Sequence, residues 1–200
     1  MARTLQCSDP VERPGAVLAA SRAAKNGRLV VLPAETGYVV ATDAFAPGGV
    51  AALQRAKGLA PTTTLGVLVG HAAAVHGIAA RVPTAALDLI AACWPGNLSL
   101  VVRTQPSLQW TVPTDRCVVR MPLHPLLLEV VGSVGPMVFS GIASPADWDS
   151  AAVILDCGTR PAGPGSTVVD VTTSPPTLIR EGAVPADRLR DLIGDLAVPG

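Results

Sequence analysis

The chain has no surplus of charge of either sign. Its 15 lysines and arginines are matched by 15 aspartates and glutamates, and charged residues make up only 15% of its 200 positions. Proteins that hold nucleic acid through bulk charge need an excess of cations, so that mode is excluded, although a local basic patch is not. Aromatic residues are 3% of the chain. That is too few for stacked platforms that grip bases, and Trp94, Trp110 and Trp148 read as packing residues. Long apolar runs are also missing. Mean hydropathy is +0.43, but Ala, Val and Leu supply it in short packets, well below the roughly 20 residues of a membrane span. The N-terminus shows no basic-then-apolar leader. The expectation is a cytoplasmic protein with no membrane association. The four cysteines, Cys7, Cys93, Cys117 and Cys157, are widely separated. Without a Cys-x-x-Cys pair they read as small core residues or free thiols, not as a disulfide frame or zinc site. His71, His76 and His124 are too scattered to point to a metal.

What is present is a chain long enough for one domain, able to hide roughly 70% of its unfolded surface. Its organising stretch is Leu29-Val30-Val31-Leu32-Pro33-Ala34-Glu35-Thr36-Gly37-Tyr38. The continuous apolar run Leu29–Leu32 suits a strand buried on both faces. Pro33 lacks a backbone donor and is expected to end pairing. A carboxylate, a hydroxyl, a glycine and a phenol then follow at the strand's mouth, where α/β folds bind ligands.

Around it the pattern alternates. Residues 1–12 read as a loose end. Helices are expected over 14–25, 48–57, 83–93, 125–131 and 187–196, with a less regular helical stretch over 72–80. Strands are expected over 65–69, 98–102, 117–120, 136–140, 153–157, 166–171 and 177–180, and 39–43 continues extended. The last two of the seven form an antiparallel pair across Ser174-Pro175-Pro176. Nineteen prolines and nineteen glycines are spread evenly, so no linker stands out. Not every crossover holds a helix, which predicts a mixed, twisted α/β sheet and not a purely doubly wound one.

Six segments in order resemble the YrdC-like family, the threonylcarbamoyl-AMP synthases: Leu32–Tyr38, Arg55-Ala56-Lys57, Trp94–Leu100, Val119–Pro122, Ser166–Asp170 and Ile179–Gly182. The resemblance covers about residues 14–196 and implies a single YrdC-like domain over 1–200. The implied fold is a twisted open mixed sheet flanked by helices, with a concave, positively charged ligand-binding face. It also implies condensation of L-threonine or a related amino acid, bicarbonate and ATP to threonylcarbamoyl-AMP and pyrophosphate. A partner complex then moves the group to an adenosine beside the anticodon of certain tRNAs. Double-stranded RNA binding is associated with the family. By motif, Thr36, Arg120 and Ser166 resemble the threonine site, and Lys57 and Arg180 the ATP site. Lys57 and Arg120 are the implied catalytic pair. Mg²⁺ would arrive with ATP as substrate, with no tightly bound cofactor and no protein metal site.

The chain also departs from the family. Leu59 stands where the arginine of Lys-x-Arg would be. Gly141-Ile142-Ala143 replaces Ser-x-Asn. Leu68 replaces a polar residue, often histidine, and Ala34 the first threonine of the strand-end motif. These losses fall mainly on the nucleotide side. Two further readings follow. One is a divergent paralogue that binds an amino acid, a related small ligand or double-stranded RNA without this catalysis. The other is a scaffold subunit. Each kept residue also has a structural reading: Lys57 as a solvated helix end, Arg120 paired with an acid such as Asp43 or Asp115, Thr36 and Ser166 as strand-end caps, Arg180 as a surface arginine.

Overall fold

The structure is a computed structural model that describes every residue except Met1, Ser8, Thr64, 109–114, Ala143, Asp147 and 199–200. Trp110 and Ala143 therefore lie outside the described residues.

Among the described residues, ten strands form one mixed sheet. In chain order they are β1 (Arg3–Gln6), β2 (Val30–Ala34), β3 (Gly37–Asp43), β4 (Gly66–Leu68), β5 (Leu98–Arg103), β6 (Arg116–Arg120), β7 (Met137–Ile142), β8 (Val153–Asp156), β9 (Thr167–Asp170) and β10 (Thr177–Arg180). Across the sheet the order is β1-β8-β2-β3-β7-β4-β6-β5-β9-β10. The helices are α1 (Arg13–Lys25), α2 (Gly49–Ala56), α3 (Val75–Ile78), α4 (Thr84–Cys93), α5 (Pro125–Val134) and α6 (Ala186–Ile193). The mixed α/β class and the β9–β10 antiparallel pair are as expected.

Three expectations need correcting. Residues 3–6 are not loose: β1 pairs in parallel with β8 from Arg3–Val153 to Gln6–Asp156. Four residues carry too little pattern to announce an edge strand. Pro33 does not end pairing, because β2 runs on to Ala34 and Pro33 sits opposite Tyr38 on β3. Its other side is unpaired there, since β2 meets β8 only at Val30 and Val31. A proline costs no ladder bond on an open edge. The stretch 72–80 is not one helix but a 3₁₀ turn, Ala72–Ala74, followed by the single turn α3.

The core explains where the sheet is left open. Val67, Leu98, Leu100, Val119 and Val169 point to one face and pack with Leu89 of α4 and Leu189 of α6. Residues of α1 and α5 cover Val30, Leu32 and Leu155, and Leu53 of α2 joins Val31, Val40 and Ile154. Burying each such side chain contributes roughly 1.5–3 kcal/mol. Strand alternation then sends the remaining set to the uncovered face. In register, Ser99 lies beside Val168, Gly66 beside Val118 and Phe139 beside Gly66. Gly66 is required there, because a Cβ would run into the Phe139 ring.

Candidate active site

A cavity of about 740 Å³ occupies this open face. Thr36, Lys57, Arg120, Ser166 and Arg180 all line it, although they come from the β2–β3 turn, the end of α2, β6, the start of β9 and the end of β10.

Arg120 is the most constrained. It is only 9% exposed. Its Nε donates to the Gly96 carbonyl at 3.0 Å and its Nη2 to Asn97 Oδ1 at 2.5 Å. The same Nη2 pairs with Glu35 Oε2 at 2.6 Å. Nη1 has no partner among the described residues. The acid beside Arg120 is thus Glu35, not Asp43 or Asp115. Asp43 caps the Phe45 amide, and Asp115 pairs with Arg103 and Arg116. Glu35 Oε1 also accepts the Leu123 N–H at 2.5 Å. Burial pushes the Glu35 carboxyl up, but the Arg120 charge and the Leu123 amide outweigh it, so the group titrates below its ordinary 4.5.

That direction predicts an acid-labile fold. A carboxylate with a folded pKa below its unfolded value stabilises fully above the unfolded value and loses that contribution as pH falls through the folded one. Calorimetric Tm is expected to drop steadily below about pH 4.5, the carboxylate's ordinary value. Glu35→Gln is expected to flatten that part of the profile.

Ser166 and Arg180 form a second fixed unit. Arg180 Nη2 and Nε donate to the Ser166 carbonyl at 2.7 and 3.2 Å. The Ser99 hydroxyl donates to Ser166 Oγ at 2.9 Å. Buried Thr167 ties the following loop to β9, its hydroxyl donating to the Val184 carbonyl and accepting the Gly182 and Val184 amides. Gly182 has to be glycine for this approach, because a Cβ would run into the Gly165 carbonyl oxygen. Arg180 Nη1 has no partner among the described residues.

Lys57 is held at the cavity wall, not free at a helix end. Its Nζ donates to the Gly141 carbonyl at 3.0 Å and lies 5.8 Å from the Trp148 ring centre. Thr36 is exposed on the hairpin turn. Gly163 of the 157–166 loop comes so close to it that a Cβ would sit 2.9 Å from Thr36 Cγ2.

The substituted positions sort by place. Leu59 and Gly141 line the cavity, and Leu59 packs in the apolar cluster that includes Ile142 and Trp148. Ala34 lines the cavity too. Leu68 does not, being 1% exposed in the core with α1 and α5. Glu35, Asn97 and Ser99 carry contacts that sequence reasoning left without a role. Ser99 had a signal, since a hydroxyl interrupts the apolar strand Leu98–Val102.

Family comparison decides what this constellation belongs to. The profile of the Sua5/YciO/YrdC family, described as telomere recombination, matches residues 22–182. The chain belongs to the Sua5/YciO/YrdC family. A Mycobacterium tuberculosis relative, whose name assigns it provisionally to the threonylcarbamoyl-AMP synthases, is 40% identical over 97% of this chain and 96% of its own length. A Pyrococcus abyssi relative named threonylcarbamoyl-AMP synthase is 28% identical, and the match spans 87% of this chain and 56% of that protein. The structure of P. abyssi Sua5 complexed with L-threonine superposes with a TM-score of 0.85 at 25% identity, covering all of this chain and 62% of that one. Escherichia coli YciO shares the fold, with a TM-score of 0.78 at 16% identity over 94% of this chain and 98% of its own. The YrdC-like fold expected from the six segments is therefore the fold observed. In this member of the family, Thr36, Arg120 and Ser166 make part of the cavity lining polar and Leu59 makes part of it apolar.

Proposed function

We propose that this protein is a threonylcarbamoyl-AMP synthase acting in the formation of threonylcarbamoyladenosine in tRNA. Relatives bearing that name support the role. The single observation that carries the reading is convergence: three cations and two hydroxyls from five distant segments line one cavity. Its volume of about 740 Å³ lies within the usual range for small-molecule sites, roughly 300–1,000 Å³.

In this reading Arg120 Nη1 takes the carboxylate of L-threonine, with Thr36 and Ser166 offering hydroxyls beside it. Asn97 and Glu35 hold the guanidinium plane in place. Lys57 and Arg180 face the phosphates. The threonine amine attacks the bicarbonate carbon and water leaves, giving a carbamate. A carbamate oxygen then attacks the α-phosphorus of ATP and pyrophosphate departs. Negative charge builds on phosphate oxygens in that second step, and fixed cations stabilise it without reorganising. Among the described residues Glu35 is the cavity's one carboxylate and is already paired, and no cluster of three metal-binding side chains occurs among them. Mg²⁺ belongs with ATP as substrate, and no step here runs through it.

One proposed domain over 1–200, a cytoplasmic setting, and tRNA, double-stranded RNA or modification proteins as partners complete the reading. Among the described residues no helix is long and apolar enough to cross a membrane.

A second reading is a paralogue that binds the amino acid without this catalysis. It is favoured by Leu59 sitting in an apolar cluster and by Lys57 being tied to a backbone carbonyl. Purified protein with ATP and bicarbonate is expected to release pyrophosphate only when threonine is added. Release that does not depend on threonine, or no release at all, would favour the second reading.

A further inference from the structure

Two of the four cysteines, distant in sequence, end neighbouring parallel strands. β1 and β8 pair in register up to Gln6 and Asp156, and the Cys7 amide donates to the Asp156 carbonyl at 3.0 Å. The next rung sets Cys7 beside Cys157, and the Cys7 S–H donates to the Leu5 carbonyl at 3.4 Å. Adjacent strands lie about 4.8 Å apart, inside the Cα separation of roughly 4.4–6.8 Å that a disulfide spans. Both residues are half-buried free thiols, so a small reagent has access, and neither lines the large cavity.

We propose that Cys7 and Cys157 form a dithiol site that a low-molecular-weight disulfide oxidises reversibly to an intramolecular disulfide. Cys157 is the attacking group, because Arg160 in the following loop and Arg13 of α1 favour its thiolate; Asp156 opposes. Tyr38 of β3 also lies beside it, its hydroxyl accepting the Cys157 amide at 3.1 Å. Burial keeps the Cys157 thiol above its ordinary range. Cys7 is pushed up to about 12, first by burial and then by Cys157 itself, which suits the resolving role.

In the first step the Cys157 thiolate attacks one sulfur of the small disulfide. That S–S bond breaks, and one small thiol leaves with a proton. In the second, the Cys7 sulfur gives up its proton and attacks Cys157 Sγ in the mixed disulfide, expelling the second small thiol. Two protein thiols are oxidised and one small disulfide is reduced to two thiols. The new bond would tie edge strand β1, which among the described residues pairs only with β8, to the root of the loop that packs on Thr36.

The test incubates the full chain with hydroxyethyl disulfide and maps peptides without reduction. A linked Cys7–Cys157 peptide that dithiothreitol reverses is expected, with Cys93 and Cys117 still reduced. Its rate should rise roughly tenfold per pH unit between pH 7 and 8.5, because a mostly protonated thiol limits attack. Cys7→Ser should stop at a mixed disulfide on Cys157. Links through Cys93 or Cys117, or mixed disulfides on both Cys7 and Cys157 that never join, would overturn the proposal. So would no reaction at either cysteine at pH 8.5.

Discussion

Arg120→Ala is expected to lower threonine affinity by roughly 100-fold, the loss of a charge-assisted fork to a carboxylate. It should also destabilise the fold by about 3 kcal/mol, because Glu35, 12% exposed at its side chain, would be left as an unpaired buried charge. Arg120→Lys should recover little. A lysine has no planar fork to reach Gly96, Asn97, Glu35 and a ligand together. Adding Glu35→Gln to Arg120→Ala should restore much of the stability and none of the binding. Thermal unfolding and calorimetric titration separate the two effects. A variant that loses stability but still binds threonine normally would assign Arg120 to the scaffold.

The second large effect is expected in the other direction. Leu59→Arg with Gly141→Ser and Ala143→Asn should raise ATP affinity by at least roughly 10- to 100-fold, the effect of one restored polar contact of about 1–3 kcal/mol. Leu59 and Gly141 line the cavity near Lys57, where the proposed ATP site would give an arginine fork phosphates to meet. Its cost is the loss of the apolar packing of Leu59 against the cluster that includes Leu53 and Leu65. A large gain in pyrophosphate release would mean that the nucleotide side limits the native protein. Unchanged ATP affinity would mean that Leu59 is not at a phosphate position.

How far the residues announced all this depends on the range of the interactions. The β9–β10 pair and α4 were legible because their signals are local: a proline-rich turn, a helix start and a stop. Thr36, Lys57, Arg120, Ser166 and Arg180 were picked out by motif, and the fold brings all five to one cavity. Their chemical roles rest on the proposal above. Partnerships were not legible. Glu35 is one position from Thr36, yet its bond to Arg120 joins residues 35 and 120, which lie at the ends of β2 and β6, strands separated in the sheet by β3, β7 and β4. Asp43 and Asp115 were equally reasonable partners on charge alone. Pro33 misled because a missing N–H matters only where a neighbouring strand would receive it, and β8 stops short. Leu68 misled because position after a strand does not say which side chains the helices cover. The placement of Cys7 beside Cys157 could not be seen without β1, a strand too short to read.

The most direct measurement is calorimetric titration of the wild-type protein with L-threonine, with and without ATP and Mg²⁺. The account predicts saturable threonine binding at one site, strengthened by the nucleotide and abolished in Arg120→Ala. No threonine heat under either condition, with the protein folded, would contradict it.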